Sequence, residues 1–293
     1  MIDLYPSRVD SEPQLLSRED PVVYSSPCAS APLTEEQSAQ FEQDGFIILP
    51  DLFSEAEVQT YLELLDSIRG SSALVDDPTA ITEAETGDLR SLFHIHKTQP
   101  ALKAVAHDPR IANVARYILG GDVYIHQSRL NFKPGFHGKE FYWHSDFETW
   151  HTEDGMPRMR AVSCSILLTD NRAENGALML VPGSHRTYIH CVGETPKDNF
   201  KQSLKRQQYG IPDDRSLELL IKEQGIRSAE AAAGSVLFFD CNVLHGSNSN
   251  ITPDPRSNLF FVYNHIENCI KAPYSNQPPR PEFIASRASI EVI

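Results

Sequence analysis

The chain is poor in the patterns that would place it in several large functional classes. Five cysteines occur in 293 residues, Cys28, Cys164, Cys191, Cys241 and Cys269, an odd number with no CxxC pair. That scatter supports neither a disulfide framework nor a thiolate zinc site, and it fits free thiols in a reducing cytoplasm. Basic residues are in deficit: 26 Lys and Arg against 40 Asp and Glu give a formal net charge of −14. An acidic surface repels phosphate backbones and anionic headgroups, so neither nucleic acid nor a membrane is expected as a partner. No stretch approaches the roughly 20 apolar residues that cross a bilayer. The opening residues, MIDLYPSRVDSEPQ, carry acids and prolines where a signal peptide would carry an apolar core. GxSxG, GxGxxG and Walker-type loops are also missing, which argues against hydrolase, dehydrogenase and NTPase chemistry.

What is present is an ordinary globular composition, 40% hydrophobic and 23% charged, with length enough for a sizeable core. Residues 1–32 read as a polar arm with Pro and Ser, expected to drape over the surface or a partner subunit, and residues 33–293 as a single domain. Thr34 followed by Gln37 forms a capping-box pattern that opens a helix, and Gly45 marks its stop. FIILP is then a short buried strand. Ser54 caps a second helix whose Val58, Tyr61, Leu62 and Leu65 share one face. Residues 70–90 are small and acidic and read as a mobile loop; a further helix near 110–119 ends at Gly120-Gly121.

Beyond that point the texture changes. DVYIHQSRLNF, EFYWHSD, RAVSCSILLTD, ALMLVPGSH, GSVLFFDCN and NLFFVYNHIE are aromatic or β-branched runs bounded by turn residues. Many short strands after a helical start predict a mainly β fold with flanking helices, a double-stranded β-helix of jelly-roll or cupin type. Residues 186–230 interrupt the strands with a polar segment and a helix near 216–223, and read as a lid or insertion.

The chemistry-bearing signal is Trp143-His144-Ser145-Asp146. Side chains two apart on a strand share a face, so His144 and Asp146 can converge on one ion. The facial site that holds non-haem iron(II) needs a second imidazole, and His245 follows a strongly apolar strand far downstream, expected to meet them from the opposite side of the barrel. Arg256 opens the next strand, where a guanidinium can grip the distal carboxylate of 2-oxoglutarate in bidentate fashion. An HxD pair alone is common; followed by a distant His and then Arg, all on predicted strands, it is specific. His94-Ile95-His96 offers a second imidazole pair on one strand face, but no third ligand matches it.

At these residues the chain resembles the phytanoyl-CoA dioxygenase family of iron- and 2-oxoglutarate-dependent oxygenases, from LTEEQ near residue 34 to about residue 266. Within that family, HQSRLNFKPGFHGKEFYWHSDFETWHTEDGMPRMR (126–160) is similar to the signature of the ectoine hydroxylases. The resemblance implies Fe(II), O₂ and 2-oxoglutarate as requirements, and hydroxylation of the compatible solute ectoine to 5-hydroxyectoine. It also implies succinate and CO₂ as co-products, and a homodimer. Carried over, His144, Asp146 and His245 hold the iron and act in catalysis. Lys133 and Arg256 contact 2-oxoglutarate, with Asn131 and Ser165 as further hydrogen bonders. Gln127 contacts ectoine, and Trp150 stabilises its ring. Ectoine is a cyclic amidinium bearing a carboxylate, so its site needs an aromatic face, an amide and a cation. Trp150 and Gln127 answer the first two, and Arg280, in QPPRPEF, is the candidate for the third. The alternatives are a related oxygenase for another small polar substrate such as an amino acid, or a non-catalytic binding or sensing barrel.

Overall fold

The computed structural model describes residues 3–70, 74, 76–83, 87–203 and 208–293. Thr34 closes the expected capping box on helix α1 (Glu35–Asp44), and Gly45 ends it with a left-handed φ of 80°. Ser54 does the same for α2 (Glu55–Arg69). Three further helices follow: α3 (Ile95–Thr98), α4 (Pro100–Ala106) and α5 (Pro109–Leu119). Later come α6 (Asp146–Thr149), running directly into a π-helical turn at Trp150–Asp154, then α7 (Phe200–Ser203) and α8 (Asp214–Gln224).

The strands are β1 (Gln14–Ser17), β2 (Phe46–Leu49), β3 (Ala80–Thr82), β4 (Leu89–Phe93), β5 (Val123–Lys133), β6 (Phe141–His144) and β7 (Ala161–Leu167). They continue with β8 (Leu178–Leu180), β9 (Thr187–His190), β10 (Arg227–Ser228), β11 (Val236–Asp240), β12 (His245–Ser247) and β13 (Arg256–His265). A seven-stranded sheet in the order β2-β11-β7-β13-β5-β4-β3 faces a four-stranded sheet, β10-β8-β12-β6. Every described pairing is antiparallel. This is the expected jelly-roll barrel.

Strand periodicity divides the large sheet into two chemically different faces. Leu130 and Phe132 on β5, Val162, Cys164 and Ile166 on β7, and Leu259, Phe261 and Tyr263 on β13 pack with Phe41, Leu65, Ile111 and Ile118 of the helices. Alternate residues point the other way, into the barrel: Gln127, Arg129, Asn131 and Lys133 on β5, and Arg256, Asn258 and Phe260 on β13. The helices therefore seal one face, and the polar alternates line the interior.

Two expectations shift. Part of the acidic stretch 70–90 is not a loop: β3 and β4 extend the large sheet beyond β5. Both strands are short, β3 is the sheet edge, and Arg90 and Ser91 interrupt the apolar run of β4, which hides them from a hydrophobic-pattern reading. Residues 71–73, 75 and 84–86 of that stretch lie outside the described residues. The N-terminal segment does more than drape: β1 pairs with β9, and Tyr5, Ser7, Arg8, Asp20 and Val22 are buried. In the segment read as a lid, α8 forms with Asp213 as its cap, while residues 204–207 lie outside the described residues.

Candidate active site

His144 and His245 come from adjacent strands of the smaller sheet, not from opposite sides of the barrel. They are direct cross-strand partners on β6 and β12, with ring centroids 4.3 Å apart. Opposed residues of an antiparallel pair have close Cβ atoms, so the register itself brings the imidazoles together. Asp146 is not in the strand. Ser145 stays extended (φ −107°, ψ 131°) and Asp146 opens α6, so the alternation still turns its carboxylate to the same side. Its oxygens lie 3.7 Å from His144 Nε2 and 3.8 Å from His245 Nε2. One ligand atom from each of the three residues lies within 4.8 Å of the others, and no other such group occurs among the described residues.

The imidazoles are oriented for a metal. His144 Nδ1 lies 2.7 Å from the Tyr142 carbonyl and His245 Nδ1 lies 3.0 Å from the Val243 carbonyl. A carbonyl only accepts, so each Nδ1 carries the proton and each Nε2 presents its lone pair toward Asp146. Burial, aided by neighbouring His245, lowers the His144 pKa to about 4, so it is neutral and able to ligate near pH 7. Two neutral nitrogens and one carboxylate make the donor set of a facial iron(II) site.

The triad opens into a cavity also lined by Gln127, Arg129, Asn131, Trp150, Glu153, Arg256 and Arg280. Most of the residues expected from the sequence therefore meet in one place. Arg256 is 5% exposed, its Nε has no partner, and burial alone lowers its pKa to about 10. Asn131 lines the wall and accepts a hydrogen bond from Ser91 Oγ at 2.8 Å. Gln127 donates through Nε2 to the Ile284 carbonyl at 2.9 Å, leaving its amide oxygen uncommitted. Trp150 is 3% exposed, with its ring edge-to-face with His126 at 5.3 Å.

Other expected residues sit differently. Lys133 is opposite Arg256 on β5, but its ammonium donates to Ser247 Oγ (2.8 Å) and to the Asn248 carbonyl, and it does not line the cavity. Burial and the Arg256 charge lower its pKa to about 6. Ser165 sits in the sheet between its cross-strand partners Phe260 on β13 and Leu237 on β11, and it does not line the cavity either. Arg280 is no surface residue: it lines the cavity, and its Nε and Nη2 bond Asp154 at 2.8 and 2.5 Å. Arg280 in turn holds the Asp154 pKa near 2 against the opposing effect of burial. The second histidine pair dissolves as a site. His94 adopts a left-handed φ of 65° at the start of α3, and His96 lies within that helix with Nδ1 on Ser128 Oγ at 2.6 Å.

Two charged lining residues escaped the sequence reading. Arg129 falls on the same alternation as Gln127 and Asn131, so strand period was a sufficient signal. Its guanidinium stacks over Phe260 at 5.0 Å, its Nε is unpartnered, and burial lowers its pKa. Glu153 follows Asp146, Thr149 and Trp150 at helical spacing, and all four line the cavity.

The phytanoyl-CoA dioxygenase family model matches residues 41–258. The chain is 54% identical over 289 residues to the ectoine dioxygenase of Stutzerimonas stutzeri strain A1501, spanning 99% of this chain and 96% of that one. A crystal structure of EctD from S. alaskensis with 2-oxoglutarate and 5-hydroxyectoine superposes with TM-score 0.89 at 47% identity, covering 98% of this chain and 95% of the other. The same protein with bound Fe superposes at TM-score 0.88, with 46% identity over the same shares. With its triad, its barrel and near full-length likeness in agreement, the chain belongs to the phytanoyl-CoA dioxygenase family and is similar within it to the ectoine dioxygenases.

Proposed function

We propose that this chain hydroxylates ectoine to 5-hydroxyectoine with Fe(II), O₂ and 2-oxoglutarate, releasing succinate and CO₂, in protection against osmotic stress. The observation that carries the reading is convergence. A facial metal triad, a buried guanidinium without an acidic partner among the described residues and an indole open into one cavity, in a chain about half identical to ectoine dioxygenases over nearly its full length.

His144, Asp146 and His245 would hold the iron, leaving the cavity side of the metal for the cosubstrate and O₂. When bound, the iron with 2-oxoglutarate and O₂ supplies the oxidising power for inserting one oxygen atom into a C–H bond. The protein's part is orientation and exclusion of water. Arg256 offers its unspent donors to the distal carboxylate of 2-oxoglutarate, and Asn131 lines the same wall. Lys133 and Ser165 flank that wall: Lys133 fixes Ser247, two residues from His245, and Ser165 pairs across the strands with Phe260. Trp150 presents its face to the cationic ring, Gln127 its amide oxygen to a ring N–H, and Arg280 its remaining donors to the carboxylate. Residues 33–293 form the catalytic unit, with the segment 186–230 as a covering element. The enzyme is read as a cytoplasmic homodimer without nucleic-acid or membrane partners; light scattering in solution tests the dimer. No helix of the described residues is long and apolar enough to cross a membrane.

The decisive test incubates iron-loaded protein with ectoine, 2-oxoglutarate and O₂, and looks by mass spectrometry for a product heavier by one oxygen. Hydroxylation of an amino acid in preference to ectoine would transfer the reading to a different small polar substrate. Absence of 2-oxoglutarate consumption with every candidate would mark a binding barrel.

A further inference from the structure

The cavity wall formed by the π-helical turn carries a carboxylate with an unspent oxygen. Glu153, in the π-helical turn, is 5% exposed and lines the cavity. Its Oε1 accepts from Arg8 Nη1 and from Asn199 Nδ2, each at 2.7 Å. Its Oε2 has no partner among the described residues. Arg8 is itself divided, for its Nε and Nη2 bond both oxygens of buried Glu148 at 2.9 and 2.7 Å. Arg280 is taken by Asp154. This buried shell holds the guanidiniums of Arg8 and Arg280 against the carboxylates of Glu148, Glu153 and Asp154. Carboxylates outnumber guanidiniums here by one, and Glu153, more than nine-tenths buried, lines both the cavity and a smaller pocket beside Thr195, Asn199 and Arg280. Glu153 is paired through Oε1 alone, so a ligand that brings a positive charge to its other oxygen gains a buried, charge-assisted contact.

We infer that Glu153 is the counter-ion of the substrate's amidinium and determines the enzyme's preference for a cationic ring. The inference rests on the reading of ectoine as substrate and adds to it the residue that reads the charge. An amidinium N–H donating to Glu153 Oε2 forms a charge-assisted hydrogen bond, shorter and stronger than one to a neutral acceptor. Trp150, three residues earlier and so on the same side of the turn, then covers the face of the ring while Glu153 takes its edge. Arg8 has a positioning role: it brings the N-terminal segment under the turn and fixes Oε1, so that only Oε2 faces the ligand.

The test is Glu153→Gln in the iron- and 2-oxoglutarate-loaded protein, held without oxygen, with ectoine binding measured by calorimetry. The amide keeps the size of the side chain, and its oxygen still accepts from Arg8 and Asn199. Ectoine should bind about tenfold more weakly or worse, with 2-oxoglutarate affinity within twofold of wild type. Glu153→Asp, which keeps the charge, should recover part of the affinity. Ectoine affinity within twofold of wild type in the glutamine variant would overturn the inference. A second measurement is independent of turnover: acetamidinium against acetamide as ligands of the loaded protein. Wild type should prefer the amidinium and Glu153→Gln should not. Failure of wild type to hydroxylate ectoine with that preference intact removes the substrate reading and keeps the role of Glu153; equal binding of the two probes to wild type removes that role. A Glu153 that only supported the fold would lower the melting temperature without changing the preference.

Discussion

The two ends of the cavity treat buried charge in opposite ways. Beside the metal, buried Arg256 and half-buried Arg129 have no carboxylate in ion-pair distance among the described residues, and desolvation pulls the pKa of each down. At the π-helical turn every guanidinium is already paired, Arg8 with Glu148 and Glu153 and Arg280 with Asp154. An unpaired buried cation is a seat for an anion that comes and goes, which suits a cosubstrate consumed each turnover. Paired cations are fixed parts of the wall, and they hold the residues around a substrate in one geometry. The first end gains affinity on binding, and the second is preorganised before binding.

The largest effect should come at the first end. His144→Ala, Asp146→Ala or His245→Ala should abolish both iron binding and hydroxylation while the far-ultraviolet circular dichroism stays native. Full activity in any of the three would take that residue out of the metal site.

The next effect probes the second end through stability. Arg8→Ala leaves Glu148 and Glu153 buried without their guanidinium, and breaking such a pair costs roughly 3–5 kcal/mol, on the order of 10 °C in melting temperature. A thermal shift below 2 °C, roughly half a kcal/mol, would mean that the N-terminal segment is not part of the wall.

Arg256→Ala tests the anion seat directly. Losing a charge-assisted pair in a closed site costs on the order of 2–5 kcal/mol, a rise of about 30-fold or more in the KM for 2-oxoglutarate. A KM within twofold of wild type would move the cosubstrate elsewhere. The fold should be unaffected, because no protein carboxylate is left unpaired, and this separates the two ends most sharply.

Smaller still is the change from Trp150→Ala, where the cation–π attraction is worth about 0.5–2 kcal/mol beyond buried area. This variant and Gln127→Ala should keep iron and 2-oxoglutarate binding but form more succinate than hydroxylated product. Trp150→Phe should retain part of the coupling. A succinate-to-product ratio equal to wild type in both alanine variants would make these residues structural.

The smallest effect belongs to neither end. Burial lowers the pKa of His96 to about 3 and of His185 to about 4, from an ordinary 6.5. Between pH 6.5 and 4 the unfolded chain takes up protons at these rings that the folded chain does not. Stability therefore falls as pH drops through that window and is indifferent to these groups above it, by at most about 1.4 kcal/mol per pH unit for each ring. Denaturant midpoints at pH 7 and pH 5 measure the loss, and His185→Gln should reduce it; an unchanged slope would assign the response to other groups.

By itself the sequence determined the barrel, the helical start and the metal ligands. These depend on local rules: apolar alternation, capping boxes at Thr34 and Ser54, and an HxD spacing that keeps its meaning even though Asp146 turns out to begin a helix. Arg129 and Glu153 were also within reach, since strand and helix periods point at them. Tertiary structure alone decided the pairing of β6 with β12, which makes His144 and His245 neighbours in one sheet. It alone turned Lys133 toward Ser247, placed Ser165 beside Phe260, and locked Arg280 onto Asp154. It also set Arg8 against Glu148 and Glu153, 140 and 145 residues away along the chain. The physical reason is that a buried charge is acceptable only when another charge meets it, and which partner arrives depends on how the chain returns through the barrel, not on its local pattern.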